Sequence, residues 1–420
     1  MITAAGVVFD PVFVPTPSQT GKVTHTLHAH KAPVCALAVL TSSSTNTLLA
    51  SAGWDKCIHF WLVDTSSPSA KLKPVASIPE ASNDFIKALH YLPSQRILLS
   101  GGSDKLLKAW NVAAIVDKNA AAIVDKNVAA IVDDPIRATN LPCSGTFSEH
   151  TRSIICIRSL EANPTRIYSA DSMGRIFELK MNLTQDRVRL EVQRELRGPE
   201  TSIASIVVGW AYGEDEDEDG NVERTAQVWA ASHDKTLHLF EPLSSATSNA
   251  HQRSSHTGTA LGSLPPLAPR LVITHPDYVK SVLPLPFELG MPSIVLTGGA
   301  DEDIRVYDYH QRPPVLLRQQ QGHWHEVQHL SLWRGKASSQ PSASPPWFVI
   351  STGLDGSIRR WKLSDLLKPQ TKEELQALQS SVQPAAPQNS RSNQNNRSKK
   401  SGMTAEEERE LEDLMMSDEE

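Results

Sequence analysis

An eleven-residue pattern that recurs along the chain constrains its fold more than any other feature. The clearest copy, residues 351–361, has a small residue at Ser351, a Gly, an Asp-containing turn and an alternating apolar run that ends at Trp361. Residues 51–61 and 100–110 are close copies, and residues 230–240 and 297–307 are weaker ones. A unit that recurs with a fixed internal order predicts a repeat architecture.

Strand patterns surround each copy. Apolar and polar residues alternate with a period of two before and after the Asp-containing turn, which predicts half-buried β-strands. Each unit has room for four strands, and six units can be counted: residues 23–64, 71–112, 145–181, 191–243, 269–309 and 314–363. The sequence therefore predicts an all-β fold built from repeated four-stranded sheets.

The unit resembles the WD-repeat family through four positions, which that family fills with Gly-His, Ser or Thr, Asp and Trp. Two units carry the full set, namely His30, Ser51, Asp55 and Trp61 in the first and His323, Ser351, Asp355 and Trp361 in the sixth. The resemblance implies a β-propeller whose blades each contain a buried relay from the Trp indole to the hydroxyl, the His and the Asp. Such a relay suits a blade interior because every buried polar group has a partner.

The other units depart from this set. The second lacks the His and has Ser82 or Asn83 near its place. The third has His150, but Met173 stands at the Asp position and Leu179 at the Trp position, so we expect only its hydrophobic pattern to survive. The fifth has His275, with Tyr307 in place of Trp. We expect these histidines to be structural.

The propeller is predicted to span residues 5–365, interrupted by insertions at residues 113–141, 213–222, 244–268 and 335–346. Propellers of this family usually have seven blades, so we expect a seventh, to which residues 1–24 contribute. The alternative is a six-bladed ring in which a strand within residues 6–14 completes the last blade. Closing the ring removes exposed sheet edges.

The C-terminal segment has a different composition. Residues 366–402 are rich in Gln, Ser, Asn and Pro, which predicts a disordered linker. Residues 403–420 begin with Thr404 and, three residues later, Glu407, a spacing that fits a capping box. We expect either a short acidic helix that docks on a partner or an acidic solubilising tail.

Acidic residues are concentrated in two segments. The formal net charge is −6, and residues 214–219 carry −6 while residues 403–420 carry −8, which leaves +8 for the rest. This mild basicity suggests charged partners, but no basic run in the folded part is dense enough to favour direct nucleic-acid binding.

Catalytic and membrane motifs are missing from the sequence. We find no G-x-x-x-x-G-K-[ST], H-E-x-x-H, C-x-x-C or G-x-S-x-G. We therefore predict no catalytic residue, no cofactor, no metal and no small-molecule substrate. The chain has no signal-peptide pattern and no membrane-length apolar run, and its four cysteines lack metal spacing. We expect an intracellular protein of the nucleus, the cytoplasm or both.

The resemblance also predicts a binding face, because the Asp-containing turns of a WD propeller open onto one side of the disc. Beside the turns and at the starts of the inner strands lie five candidate protein-binding residues: Trp54, Phe85, Arg152, Tyr278 and Trp324. Large aromatics and Arg are frequent interface anchors. The alternative is that some of them pack under loops.

Two functions are consistent with these features. The first is a non-catalytic scaffold or adaptor that mediates protein–protein interactions within a multisubunit complex. The second is a non-catalytic partner subunit of an RNA- or chromatin-modifying enzyme, whose basic surface contacts nucleic acid. The salt dependence of binding separates them.

Overall fold

The computed structural model describes most of the repeat region. The described residues are 3–4, 7–8, 30–42, 46–64, 71–117, 141–160, 163–184, 187–216, 222–242, 264–286, 289–291, 293–335, 345–371 and 373–375. Most of the predicted linker and the whole predicted acidic helix lie outside this set. Within it, no helix is both long enough and apolar enough to cross a membrane.

The strands form one small hairpin and six larger antiparallel sheets. The hairpin consists of β1 (Thr3–Ala4) and β2 (Val7–Val8). Blade 1 consists of β3 (Val34–Ser42), β4 (Asn46–Gly53), β5 (Ile58–Asp64) and β6 (Lys71–Ile78). Blade 2 consists of β7 (Ile86–Leu92), β8 (Ile97–Gly102), β9 (Leu107–Asn111) and β10 (Cys143–Phe147). Blade 3 consists of β11 (Ile154–Leu160), β12 (Asn163–Asp171), β13 (Ile176–Thr184) and β14 (Arg187–Leu196).

The remaining three blades repeat this order. Blade 4 consists of β15 (Ile203–Glu216), β16 (Val222–Ser232), β17 (Thr236–Phe240) and β18 (Leu271–Thr274). Blade 5 consists of β19 (Val279–Pro284), β20 (Ile294–Gly299), β21 (Asp303–Asp308) and β22 (Val315–Gln321). Blade 6 consists of β23 (Val327–Arg334), β24 (Trp347–Gly353) and β25 (Ile358–Lys362).

Each sheet is a meander whose first strand packs against the first strand of the next sheet. These contacts run in series through β3, β7, β11, β15, β19 and β23. First strands that contact one another in this way surround a common axis. The predicted all-β propeller is confirmed, and the described residues form six blades. A seventh blade stays a prediction.

The junction between the last and first blades differs from the others. Strand β1 packs on β3, and β2 packs on β23 and β24, so the hairpin lies between blades 1 and 6. The six-bladed alternative placed a strand within residues 6–14 on the last blade, and most of that stretch lies outside the described residues. Within the described residues Val7–Val8 pairs with Thr3–Ala4, and blade 6 has three strands.

The core consists of apolar layers between neighbouring blades. Buried clusters join blades 1 and 2, 2 and 3, 3 and 4, 4 and 5, and 5 and 6. Because both faces of a blade are covered, a second strand such as β8 is buried at every position and does not alternate. Removal of this apolar area from water is the main stabilising term of the fold.

Two of the predicted insertions have an ordered end. Residues 113–117 are helical and follow directly on blade 2. Before β18, the backbone N–H groups of Leu264 and Leu267 donate to the carbonyls of Gln193 and Glu195 at 2.6 and 2.9 Å. This segment therefore covers the outer edge of β14, which would otherwise expose unpaired backbone groups.

Candidate protein-binding face

Blades 1 and 6 contain complete side-chain relays. In blade 1, the Trp61 indole N–H donates to Ser51 Oγ at 2.8 Å. Ser51 Oγ lies 2.7 Å from His30 Nε2, and His30 Nδ1 lies 2.8 Å from Asp55 Oδ2. In blade 6 the corresponding chain runs through Trp361, Ser351, His323 and Asp355 at 2.8, 2.8 and 3.1 Å.

Blade 3 retains most of this relay through a residue that the sequence reading did not assign. We expected only its hydrophobic pattern to survive, because Met173 stands at the Asp position. In the structure His150 Nε2 lies 2.8 Å from Ser169 Oγ, and His150 Nδ1 lies 3.1 Å from Asp171 Oδ2. Asp171 Oδ1 also accepts from the backbone N–H of Met173 at 2.9 Å. An Asp two residues earlier therefore binds both the His and the turn.

In blades where no His contacts the Asp as in the relay, the Asp carboxylate is contacted by the side chain four residues after it. In blade 2 Lys108 Nζ lies 3.1 Å from Asp104 Oδ2, which also accepts from the Ser82 hydroxyl at 2.7 Å. In blade 5 the Arg305 guanidinium donates to both carboxylate oxygens of Asp301 at 3.0 and 2.6 Å. Each of these buried carboxylates thus keeps a cationic partner.

Blade 4 follows the same rule with a histidine. His238, four residues after Asp234, has its Nε2 3.9 Å from Asp234 Oδ2 and 2.6 Å from Thr236 Oγ1. Thr236 Oγ1 in turn donates to Asp234 Oδ1. The backbone N–H of Glu200 donates to Asp234 Oδ2 at 2.8 Å and completes the set.

The ionisation of these groups supports a structural role. Burial alone would raise the pKa of Asp355, but hydrogen bonds from the Ser357 and Trp324 backbone, then from Ser357 Oγ and His323, hold it well below its usual value. Burial, followed by the charge of Arg305, lowers the pKa of His275 to about 4. The ionised Asp355 therefore serves as a fixed acceptor for His323, and His275 as a neutral ring bonded to Thr297.

One cluster has the composition of a metal site. The potential ligand atoms of His30, Asp55 and His59 lie within 4.8 Å of one another. Both ring nitrogens of His30 are already engaged, one by Asp55 and the other by Ser51. A metal ion bound through His30 would therefore have to break the relay of blade 1.

The turns and the inner-strand starts lie at the same end of every blade. In each blade a backbone N–H beside the turn donates to a carbonyl at the start of the inner strand. The six bonds, 2.8–3.0 Å long, are Trp54 to Pro33, Ser103 to Phe85, Ser172 to Ser153, His233 to Ser202, Ala300 to Tyr278 and Leu354 to Glu326. We call this end of the disc the turn face.

Four of the five candidate binding residues are aromatic and lie on the turn face. Three of them belong to stacked pairs, and the fourth is an exposed ring. Trp54 of blade 1 stacks on Phe85 of blade 2, with ring centroids 4.9 Å apart and planes 11° from parallel. Tyr278 of blade 5 stacks on His233 of blade 4 at 5.3 Å. The Trp324 side chain is 71% exposed, and its backbone N–H donates to Asp355 Oδ2 at 3.1 Å.

Arg152, the fifth candidate, is exposed at the start of the inner strand of blade 3. Among the five candidates the described ring contacts join Trp54 with Phe85, whereas Tyr278 stacks on His233, which is not a candidate. The turn face therefore presents two aromatic pairs, one separate Trp and one separate Arg.

The structure adds four residues to the turn face that were not among the five candidates. Leu354 and Met173 are 63% and 52% exposed in the turns of blades 6 and 3. The ammonium groups of Lys235 and Lys280 lie 5.8 and 5.9 Å from the Tyr278 ring centroid. The turn positions of Leu354 and Met173 could be read from the repeat, and Lys280 follows Tyr278 by two residues in blade 5. Lys235, in contrast, approaches Tyr278 only through the packing of blade 4 on blade 5.

Comparison with known families agrees with this geometry. Residues 21–61 and 72–111 match the family described as WD domain, G-beta repeat. Blades 1 and 2 of this six-bladed propeller therefore carry WD repeats. A search of the curated proteins gave no match.

The two matched stretches end at the Trp of blade 1 and one residue after the Trp of blade 2. The later blades depart from the family pattern at single positions, such as Met173 and Tyr307, while the polar contacts of the blade persist. The relay residues are thus part of the scaffold, and the exposed side chains of the turn face are the candidates for recognition.

Proposed function

We propose that this WD-repeat propeller is a non-catalytic scaffold or adaptor that binds protein partners on its turn face. WD-repeat propellers commonly serve as interaction scaffolds, and the fold by itself does not fix the pathway. We place the protein inside the cell, in the nucleus or the cytoplasm, on the grounds of its unpaired cysteines.

One observation carries the proposal. Among the described residues, three aromatic side chains are counted as exposed, namely Trp54, Tyr278 and Trp324, and all three lie on the turn face. Leu354 and Met173 add apolar surface to the same face. Exposed aromatics gathered on one side of a protein are typical of interface anchors, since they bury a large area at a small entropic cost.

A nucleic-acid partner is less favoured. The most arginine-rich surface, on blade 3 outside its inner strand, has five arginines against a glutamate. These pairs are Arg166 and Arg194 with Glu178, Arg175 and Arg197 with Glu195, and Arg189 with Glu191. Arginines held by carboxylates are less available to neutralise phosphates.

The proposal is tested by affinity purification of the full-length protein carrying Trp54→Ala and Trp324→Ala together. Loss of these anchors should reduce the recovery of direct partners by at least about tenfold, since a single interface anchor is worth about 2 kcal/mol or more. Partners are identified and quantified by mass spectrometry.

The matched control is the double variant Leu183→Ala and Met291→Ala. These side chains are 46% and 38% exposed and lie toward the opposite end of the blades, away from the turns. Recovery with this variant should equal that of the unmodified protein. If the variant with Trp54→Ala and Trp324→Ala is folded and recovers the same partners in the same amounts, the turn face is not the binding face.

A further inference from the structure

The inner strands of the six blades share an irregularity near their starts. In every blade the pairing of the first two strands shifts register by one residue at this point. The residues at the shift are Cys35, Lys87, Ile155, Ala204, Lys280 and Gln328. They lie at the inner edge of the blades, next to the turn face, and therefore surround the mouth of the central channel.

Two of these six positions carry a cation. Lys280 of blade 5 is neutralised by Glu326 of blade 6, with Nζ and Oε2 3.0 Å apart. Lys87 of blade 2 lies near Cys35 of blade 1, where burial raises the pKa of the thiol and the charge of Lys87 opposes that rise. In the described part of the chain Lys87 contacts no carboxylate, unlike Lys280.

A third cation lies deeper in the channel. Burial lowers the pKa of His90 and of His329 to about 3 and about 4, and in both cases the charge of Arg158 lowers it further. His90, Arg158 and His329 belong to blades 2, 3 and 6. All three residues lie on inner strands, which pack against one another around the axis. Arg158 is three residues beyond the shifted residue Ile155 of its strand, about 10 Å further from the turn face.

The Arg158 guanidinium is poorly satisfied by the protein. Its Nη1 donates to the carbonyl of Ile157 at 2.9 Å, and no carboxylate of the described residues contacts it. The nearby polar groups do not supply an anion either, since His90 is a neutral imidazole whose Nε2 lies 2.7 Å from Ser159 Oγ. A guanidinium has five N–H donors in a planar fork. Among the described residues, the remaining donors of Arg158 meet no hydrogen-bond acceptor.

We propose that the channel binds the carboxylate of an acidic residue from the protein partner, with Lys87 at the mouth and Arg158 below it. The fork of Arg158 matches a carboxylate in two parallel hydrogen bonds. Partial burial strengthens the attraction relative to that between fully exposed charges. This inference rests on the proposed function, since the partner held on the turn face supplies the acidic residue.

The test uses the full-length protein and a fluorescein-labelled hexaglutamate peptide, with labelled hexalysine as the charge control, followed by fluorescence anisotropy at low salt. Hexaglutamate should bind and hexalysine should not. Lys87→Gln with Arg158→Gln should weaken hexaglutamate binding by at least about tenfold, because each hydrogen bond to a charged group is worth about one decade or more.

The control double variant is Arg189→Gln with Arg197→Gln, which removes the same formal charge from side chains that are 79% and 67% exposed. It should leave hexaglutamate binding within about twofold. Circular dichroism verifies that each variant is folded. If the double variant does not fold, Lys87→Gln alone, at a partly exposed site, replaces it in the binding measurement. Equal weakening by both double variants would show general electrostatics and overturn the proposal.

Two other outcomes also overturn it. The first is no binding of hexaglutamate by the unmodified protein. The second is binding of inorganic tripolyphosphate without binding of hexaglutamate, which would mark a small-anion site. The variant with Trp54→Ala and Trp324→Ala distinguishes failure of the channel proposal from failure of the proposal that partners bind the turn face. If that variant loses its partners while the channel variants bind hexaglutamate normally, the face is correct and the channel inference is not.

Discussion

At the residue scale, the relay requires a carboxylate within hydrogen-bond distance of His Nδ1, and this carboxylate need not come from one fixed position in the repeat. In blades 1 and 6 the Asp follows the relay Ser by four residues, whereas Asp171 follows Ser169 by two. Both placements bring an oxygen within about 3 Å of His Nδ1. The geometric requirement is an acceptor for the His and the turn N–H, and two backbone positions meet it.

Asp171→Ala tests this substitution of roles. The Asp171 side chain is fully buried, and its removal leaves His150 Nδ1 and two turn N–H groups without their acceptor. We expect the free energy of unfolding to fall by roughly 3 kcal/mol, measured by urea denaturation followed by Trp fluorescence. Met173→Ala, at the position that the repeat assigns to Asp, should change it by less than about 0.5 kcal/mol. Comparable losses for both variants would contradict the assignment.

At the scale of the element, the turn after each Asp position uses a left-handed residue. Its φ is 66° at Lys56, 65° at Lys105, 68° at Lys235 and 72° at Glu302, and blade 6 has Gly356 at 72°. A side chain in this conformation is strained, because Cβ approaches the following carbonyl. Four blades accept that cost, which indicates that the turn is held by the surrounding hydrogen bonds.

Gly356→Ala should therefore destabilise blade 6 through φ alone. A Cβ at Gly356 would meet no atom within 4 Å, so strain and not collision sets the expected loss of about 1 kcal/mol in the free energy of unfolding. Gly209→Ala is the matched control, since its Cβ also meets nothing and its φ is not left-handed. It should be neutral or stabilising by up to about 1 kcal/mol in the same urea denaturation. A loss at Gly209 equal to that at Gly356 would refute the strain argument.

At the scale of the whole molecule, blade 6 differs from the other five blades, because its described part has three strands and theirs have four. The described part of blade 6 ends at β25, whose side chains alternate between exposed and half-buried, while β21 in blade 5 is mostly buried and is covered by β22. A strand paired on one side leaves half of its backbone groups without a partner in the sheet.

Hydrogen exchange measures this difference directly. We expect the amides of Ile358–Lys362 to exchange at least about tenfold faster than those of Asp303–Asp308, because their opening requires loss of fewer contacts. Both strands are the third of their blade, so the comparison holds position constant. Equal protection would mean that another segment pairs with β25 and completes the sheet, as the N-terminal strand was expected to do.

The sequence by itself determined what depends on short separations along the chain. Alternation gave the strands, and the eleven-residue spacing placed Ser51 and Trp61, or Ser351 and Trp361, on adjacent strands where they meet. The same spacing indicated that Trp54, Tyr278 and Trp324 lie beside turns. These features follow from the pleat and the turn, whose geometry is the same in every blade.

The tertiary structure decided what depends on how one blade lies against another. The stack of Trp54 on Phe85, the approach of Lys235 to Tyr278, and the hydrogen bond between His90 and Ser159 all join different blades. No spacing in the sequence encodes them, because the rotation between blades is set by the packing of whole apolar layers. Substituted partners such as Asp171 were missed for a related reason, since a buried His needs an acceptor within reach and the folded chain has more than one way to supply it.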